Sequence, residues 1–250
     1  MLAPVDLAAA LDPVLFAATL GFTTPDPWQV TALRWTGRRA IWNIARQSGK
    51  STVAALVGLH TAIYWPNSLI LLISPSLRQS SELFRKVSDW RTAWPVAWDL
   101  PEDNRLSCRF ENGSRIVSLP SSEATIRGFS GADLIIEDEA ARVPDELYYA
   151  VRPMLAVSGG RLLLMSTPFG TRGHFHQEWT KGGPIWERVE IDATHNPRIA
   201  PEFLEEERAS MGDWWYQQEY FGKFMDAQTA VFNYQDIENM FRKEIETWDL

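Results

Sequence analysis

Short segments dominated by apolar residues alternate with longer helical segments over residues 39–191. A strand that is apolar along most of its length is typical of a sheet buried on both faces. The pattern therefore predicts a parallel α/β sheet covered by helices on both sides, with ligands at the carboxyl ends of the strands. The predicted strands are 39–45, 68–74, 132–137 and 161–166, and the predicted helices between them are 48–65, 77–94 and 144–156.

The remaining segments add a hairpin, an edge strand and several helices. Asn112-Gly113 separates the segments 105–110 and 114–119, which is the usual signal for a hairpin turn. Segment 186–192 alternates polar and apolar residues and predicts an edge strand or a fifth strand of the sheet. Further helices are expected at 5–20 with a break at Pro13, at 28–35, at 201–211 and at 214–224.

Charge and hydropathy argue against several classes of protein. No apolar run reaches the ~18 residues of a membrane span, and Asp6 and Asp12 lie where a signal peptide would be basic or apolar. The last fifty residues carry 12 acidic and 4 basic residues and so supply the whole net charge of −8. This balance argues against constitutive, charge-driven DNA binding but leaves room for a local basic groove. The single cysteine, Cys108, excludes an intramolecular disulfide, and we expect a soluble intracellular protein.

The segment ARQSGKST (45–52) lies between the first predicted strand and its helix. A bound phosphate needs inward-pointing backbone N–H groups, a helix N-terminus and a lysine that reaches the β and γ oxygens. Gly49 lets the backbone approach, Lys50 supplies the charge, and the Ser51 hydroxyl suits Mg²⁺. Ile44 occupies the place of the usual first glycine, so the loop is a variant of the common pattern.

The segment LIIEDEA (134–140) ends the third predicted strand with three carboxylates. Mg²⁺ takes one or two carboxylates together with water and phosphate oxygens, and a second carboxylate can orient or deprotonate an attacking water. We assign Asp138 to the metal and Glu139 to catalysis. Because Glu137 stands where an apolar residue is expected, a register shifted by one residue remains open.

The segment Ser166-Thr167-Pro168 ends the fourth predicted strand and is followed by Phe169-Gly170. Hydroxyl groups at this edge are suited to hydrogen-bond a γ-phosphate or the catalytic carboxylate. We expect them to report hydrolysis to the rest of the chain, although such a tripeptide by itself only ends a strand.

In this order, the three motifs resemble those in the N-terminal ATPase domain of phage large terminase subunits, which are DNA-packaging motor proteins. The resemblance rests on ARQSGKST, LIIEDEAA and LLLMSTPFGTRGHF, and the segment Pro27-Trp28-Gln29 is similar to the family's upstream adenine-side motif. Ile126-Arg127-Gly128-Phe129 and the segments 217–224 and 229–232 match later landmarks. The likeness spans residues 25–232 and implies a P-loop NTPase fold of the RecA-like, ASCE type.

The resemblance implies roles for the matched residues. Gln29 would read the adenine edge, and Arg46 would contact the γ-phosphate beside Lys50 and Glu139 as a catalytic residue. Ser51 and Asp138 would hold Mg²⁺, and Ser166, Thr167 and Pro168 would couple hydrolysis to movement. ATP would be bound by Gln29 and by Arg46, Gln47, Ser48, Gly49, Lys50, Ser51 and Thr52.

The resemblance also implies a domain plan and partners. Residues 1–194 would form the ATPase core, 195–232 a small helical lid, and 233–250 a linker towards a nuclease domain, so DNA cleavage is not expected from this chain. The implied partners are double-stranded DNA, the portal protein and the small terminase subunit, in the cytoplasm of the infected bacterial host. On the procapsid we expect a homo-oligomeric ring, taken as a pentamer, with a monomer in solution left open.

In such a ring, a neighbour's arginine would complete the site, because a planar guanidinium stabilises charge spread over phosphate oxygens. Arg105 is our candidate, followed by Arg85 and Arg91, although each also fits a solvated surface charge.

Two other functions stay open. One is a helicase-like DNA remodeller, for which the chain lacks room for a second lobe. The other is a nucleotide-gated DNA-binding or assembly module, which would not need Glu139.

Overall fold

The computed structural model describes residues 4–94, 100–120 and 128–226. In these ranges eight strands form one sheet in the order β3-β4-β5-β2-β6-β7-β1-β8. The strands are β1 (Arg39–Ile44), β2 (Leu69–Ser74), β3 (Glu102–Asp103), β4 (Ser107–Arg109), β5 (Arg115–Pro120), β6 (Leu134–Asp138), β7 (Arg161–Ser166) and β8 (Trp186–Ile191).

Eight α-helices are described in the same ranges. They are α1 (Pro4–Leu11), α2 (Pro13–Thr19), α3 (Pro27–Leu33), α4 (Lys50–Tyr64), α5 (Leu77–Thr92), α6 (Asp145–Val151), α7 (Gly173–Lys181) and α8 (Pro201–Phe221). Short 3₁₀ turns cover Ala140–Arg142, Arg152–Leu155 and Ala193–His195. No helix in the described part of the chain has both the length and the apolar character that a bilayer crossing requires.

The predicted α/β fold is confirmed, with a sheet that is mostly parallel. The six strands β5, β2, β6, β7, β1 and β8 pair in parallel, so the carboxyl ends of β1, β6 and β7 meet at one edge. The predicted hairpin is present as the antiparallel pair β4 and β5, and 186–191 is the edge strand β8. This arrangement places all three predicted motifs at the edge of the sheet where the carboxyl ends of the parallel strands lie.

Alternate residues of the central strands bury opposite faces of the sheet, as strand geometry requires. On one face, Leu72 and Ile136 pack in a cluster with residues of α4 and α5. On the other, Ile73 and Ile135 pack in a cluster with residues of α6 and α7. The central strands are therefore buried on both sides, as their apolar sequences predict.

One predicted helix is shorter in the structure. The helix expected at 144–156 ends at Val151 and continues as a 3₁₀ turn, since Pro153 has no N–H group for an α-helical bond. The two helices expected at 201–211 and 214–224 are present within α8, on either side of a break at Gly212 (φ 76°, ψ 162°), and the second of them ends at Phe221. Residues 126–127 and 229–232 of the family landmarks lie outside the described ranges.

Candidate active site

The predicted phosphate loop leaves β1 and enters α4 through two residues with left-handed backbone. Gln47 has φ 63° and Gly49 has φ 88°. Positive φ in such a loop turns neighbouring N–H groups towards one side, which creates a concave site for anions. Gly49 directly precedes α4, so the helix N-terminus adds its partial positive charge at the same place.

Two amide side chains from other elements fix the carbonyl groups of this loop. The Gln29 amide Nε2 donates to the Ser48 carbonyl at 3.1 Å, and the Asn196 amide Nδ2 donates to the Gln47 carbonyl at 3.0 Å. The other end of the Gln29 amide accepts from the Asp26 N–H at 2.9 Å. Gln29 therefore links the start of α3 to the phosphate loop, and its reading of adenine stays a prediction.

The lysine and serine of the loop lie against the two predicted carboxylates. Lys50 is buried, and its Nζ lies 2.9 Å from Glu139 Oε1. The Ser51 hydroxyl donates to Asp138 Oδ2 at 3.5 Å. These contacts join residues 87 and more positions apart in the chain, and they occur because β1 and β6 end at the same edge of the sheet.

Asp138 and Ser51 offer the kind of ligands that Mg²⁺ prefers, a carboxylate and a hydroxyl oxygen at the edge of a phosphate loop. Burial, together with the neighbouring Glu139 carboxylate, raises the pKa of Asp138 to about 6. A carboxylate this deeply buried is stabilised by a nearby cation. The residues present therefore fit a divalent metal.

Glu139 has a left-handed backbone, with φ 53° and ψ 42°. This conformation is uncommon for a residue with a side chain, and such outliers cluster at functional sites. At Glu139 the side chains stop alternating between the two faces of the sheet as they do along β6. The Glu139 carboxylate therefore lies between two cations. One is Lys50, and the other is Arg142, whose Nη1 donates to Glu139 Oε2 at 3.2 Å.

Glu137, the residue that left the register open in the sequence, lies away from the phosphate loop. Its side chain is fully buried on the opposite face of the sheet and accepts from His174 Nε2 at 2.6 Å. Burial alone would lower the pKa of His174, but Glu137 and Asp145 together raise it above its usual value. Glu137 is thus a buried partner of His174, and the residues beside the phosphate loop are Asp138 and Glu139.

Arg46 contacts the α8 helix. Its Nε lies 2.6 Å from Glu219 Oε2, and its side chain is 60% exposed. Arg142 Nη2 lies 3.6 Å from the other oxygen of Glu219. The contact of Arg46 with a γ-phosphate stays a prediction, and it would require Arg46 to leave Glu219.

The predicted coupling residues lie at the carboxyl end of β7 and are buried. The Ser166 hydroxyl donates to the Thr167 carbonyl at 2.6 Å. Thr167 Oγ1 has no hydrogen-bond partner among the described residues. After Pro168, the Gly170 N–H donates to Gln218 Oε1 of α8 at 3.1 Å, so this loop contacts α8 directly. The coupling role itself stays a prediction.

The three arginines proposed to act on a neighbour differ in their contacts. Arg91 forms two hydrogen bonds to Asp103, both at 3.0 Å, and its side chain is mostly buried. Arg85 is paired with Glu82 of the same helix at 2.7 Å. Arg105 is exposed in the turn between β3 and β4. Among the described residues Arg105 forms no ion pair, and its action on a neighbour stays a prediction.

Arg142 and Glu219 are site residues that the sequence patterns did not single out. Arg142 lies three residues beyond Glu139, outside the three carboxylates, and Glu219 lies in the segment 217–224, for which the resemblance gave no residue a role in the site. Lys86 of α5 is a third such residue. Burial lowers its pKa, and its charge and that of Asp138 influence each other.

A family model described as terminase large subunit, T4likevirus-type, N-terminal, matches residues 41–239. The chain belongs to this family. The large terminase subunit of Thermus virus P23-45 is 26% identical over 257 aligned positions, which cover 89% of this chain and 53% of that protein. This terminase chain thus spans about half the length of the curated relatives it matches.

Solved terminase structures have the same fold. The large terminase ATPase domain of Thermus phage P74-26 matches with a TM-score of 0.72 and 24% identity, over 84% of this chain and 97% of that one. The large terminase of the thermophilic bacteriophage D6E, solved in complex with ADP, matches with a TM-score of 0.65 and 13% identity, over 81% of this chain and 54% of that one. At these identities the likeness establishes the RecA-like fold, and the chemistry has to be argued from this chain's own residues.

Proposed function

We propose that this terminase chain hydrolyses ATP with Mg²⁺ and that hydrolysis drives translocation of double-stranded viral DNA into a procapsid. The observation that carries the proposal is the convergence of the phosphate-loop residues Lys50 and Ser51 on the carboxylates of residues 138–139. A lysine, a helix N-terminus and two carboxylates at one sheet edge are the parts that phosphoryl transfer to water requires.

The contacts of this chain suggest how ATP would enter the site. Lys50 contacts Glu139 at 2.9 Å, so bound phosphates would take Lys50 away from that carboxylate. Glu139 Oε1 would then be free to accept a proton from water. Mg²⁺ held by Ser51 and Asp138 would neutralise charge on the phosphate oxygens.

In the hydrolysis step, the water oxygen forms a bond to the γ-phosphorus while the bond from that phosphorus to the β–γ bridging oxygen breaks. One proton of the water passes to Glu139, and ADP and inorganic phosphate leave. Lys50 would stabilise the developing charge, and Arg46 would join it after releasing Glu219. Gln29 would hold the loop and contact adenine.

The packaging role comes to this chain from its family. The partners we propose are double-stranded DNA, the portal protein, the small terminase subunit and further copies of this chain in a ring, pentameric on the procapsid, within the infected bacterial cell. Arg105 is proposed as the residue that completes a neighbour's site. Movement would pass from Ser166 and Thr167 to the lid of residues 195–232, because the loop after β7 contacts α8.

The test is phosphate release from Mg-ATP over a range of protein concentrations, with and without double-stranded DNA. Lys50→Ala should weaken ATP binding and lower turnover about 100-fold or more, because a charged phosphate contact is lost. Glu139→Gln should keep binding and lower turnover by a similar factor. The exposed Lys181→Ala and Glu146→Gln serve as matched controls and should change neither.

Each outcome separates two functions. Turnover that both site variants abolish supports an ATPase, and activity that rises faster than protein concentration supports a residue supplied by a neighbour. ATP binding without turnover, alone or with DNA, would favour the nucleotide-gated module. Unchanged ATP affinity in Lys50→Ala would refute the assignment of the phosphate site.

A further inference from the structure

Arg142 lies at the end of the 3₁₀ turn that follows Glu139, and its guanidinium meets three separate elements. It contacts the Glu139 carboxylate, the Glu219 carboxylate of α8, and the ring of Phe169 in the loop after β7. The Arg142 side chain is only 24% exposed. An arginine held on three sides in this way is not a solvated surface charge.

The two oxygens of Glu139 have different partners. Oε1 lies 2.9 Å from Lys50 Nζ, and Oε2 accepts from Arg142 Nη1 at 3.2 Å. Bound phosphates would compete with Glu139 for Lys50. They would not compete for the contact between Arg142 and Glu139 Oε2. Arg142 would therefore keep one oxygen in place while the other is released to face a water.

The other terminal nitrogen of Arg142 contacts α8. Its Nη2 lies 3.6 Å from Glu219 Oε1, and the same carboxylate binds Arg46 of the phosphate loop at 2.6 Å. The guanidinium carbon also lies 4.6 Å from the centroid of the Phe169 ring, within the range of a cation–π contact. A shift of α8 would therefore move the Arg142 guanidinium, which contacts the Glu139 carboxylate.

We propose that Arg142 is a positioning residue that holds Glu139 for attack by water and makes this orientation depend on the position of α8. Arginine suits the role because its planar, permanently charged fork can donate a hydrogen bond to Glu139 while its other nitrogen forms an ion pair with Glu219, which a lysine cannot do with the same geometry. The inference rests on the proposed hydrolysis of ATP at this site.

The experiment measures kcat and KM for Mg-ATP in Arg142→Gln, Arg142→Lys, Glu219→Gln and the double variant Arg142→Gln/Glu219→Gln. Arg172→Gln is the matched control, because Arg172 lies over the same Phe169 ring at 5.1 Å and has no described ion pair with a carboxylate. Arg142→Gln should lower kcat by about 10- to 100-fold, since a misplaced catalytic group costs rate, and should leave KM within about two-fold.

The variants separate positioning from charge and from folding. Arg142→Lys should recover only part of kcat, because it keeps the charge and loses the fork. If Arg142 acts together with α8, the double variant should be no slower than Arg142→Gln alone. Arg172→Gln should stay within about two-fold of the parent chain. Unfolding midpoints measured alongside should be similar for Arg142→Gln and Arg172→Gln.

Three results would overturn the proposal. The first is an unchanged or increased kcat in Arg142→Gln, and the second is a loss of kcat in Arg172→Gln as large as that in Arg142→Gln. The third is a double variant whose loss of kcat equals the product of the losses in Arg142→Gln and Glu219→Gln. If the parent chain shows no turnover that Lys50→Ala abolishes, the proposed function fails instead. Hydrogen exchange of residues 213–221 then decides the coupling to α8 in the nucleotide-free chain. Faster exchange in Arg142→Gln and Glu219→Gln, but not in Arg172→Gln, would support it, and unchanged exchange would refute it.

Discussion

Gly49→Ala tests how the phosphate loop is held in its shape. Gly49 has φ 88° at the start of α4, and a Cβ added there would lie 3.0 Å from the Gln29 amide Nε2. That amide donates to the Ser48 carbonyl at 3.1 Å. The substitution therefore strains the backbone at residue 49. It also displaces the Gln29 amide from its buried hydrogen bond to the Ser48 carbonyl.

The two effects can be given magnitudes. A left-handed conformation costs a residue with a Cβ about 1–2 kcal/mol. Displacement of the Gln29 amide weakens a hydrogen bond whose net contribution is about 0.5–1.5 kcal/mol. Gly49→Ala should thus lower the free energy of unfolding by about 1.5–3.5 kcal/mol, measured by urea unfolding followed through tryptophan fluorescence.

Gly21→Ala isolates the backbone effect. Gly21 has φ 94°, and a Cβ there would meet nothing within 4 Å. This control should lose only about 1–2 kcal/mol and should bind ATP like the parent chain, whereas Gly49→Ala should bind ATP more weakly. Equal losses of stability in the two variants would refute the role of the Gln29 contact, and no loss in Gly49→Ala would refute the left-handed loop.

Two further predictions follow from buried titratable groups. Burial lowers the pKa of His60 to about 4, while the unfolded value is about 6.5. The unfolded chain therefore binds more protons between these values, and stability should fall by about 3 kcal/mol as the pH drops from about 6.5 to 4. His60→Phe should remove that part of the slope in urea unfolding at several pH values, and an identical slope would contradict the assignment. Burial also raises the pKa of the Cys108 thiol to about 11, so a thiol reagent at pH 8 should react about 100-fold more slowly with the native than with the urea-unfolded chain; equal rates would contradict this.

Much of the sheet could be predicted from residue patterns, because strands buried on both faces have few polar positions. The segments 68–74 and 161–166 are apolar enough to be assigned with their ends nearly correct. The position of the three motifs followed from the same reasoning, since a polar residue directly after such a strand lies at the sheet edge. These inferences use only local sequence and the geometry of parallel sheets.

The contacts between distant elements could not be predicted in this way. The pairing of Arg46 with Glu219 joins the phosphate loop to a helix that begins after β8, and nothing in either segment indicates the other. The break at Gly212 lets residues 213–221 take a direction of their own. Such contacts depend on the relative placement of elements, which hydrophobic periodicity does not encode.

The three carboxylates of 137–139 show how one distant residue resolves a local ambiguity. Successive side chains of a strand point to opposite faces, so Glu137 and Asp138 must face different helices. Asp138 lies on the face covered by α4, beside Ser51, whereas Glu137 faces α7, where His174 binds it at 2.6 Å. A buried carboxylate without such a partner would be costly, so the contact with His174 accounts for the burial of Glu137, whereas Asp138 and Glu139 are the carboxylates beside the phosphate loop. In the sequence, His174 lies 37 residues away from the acid that it contacts, which is why residue spacing within the motif alone left the register open.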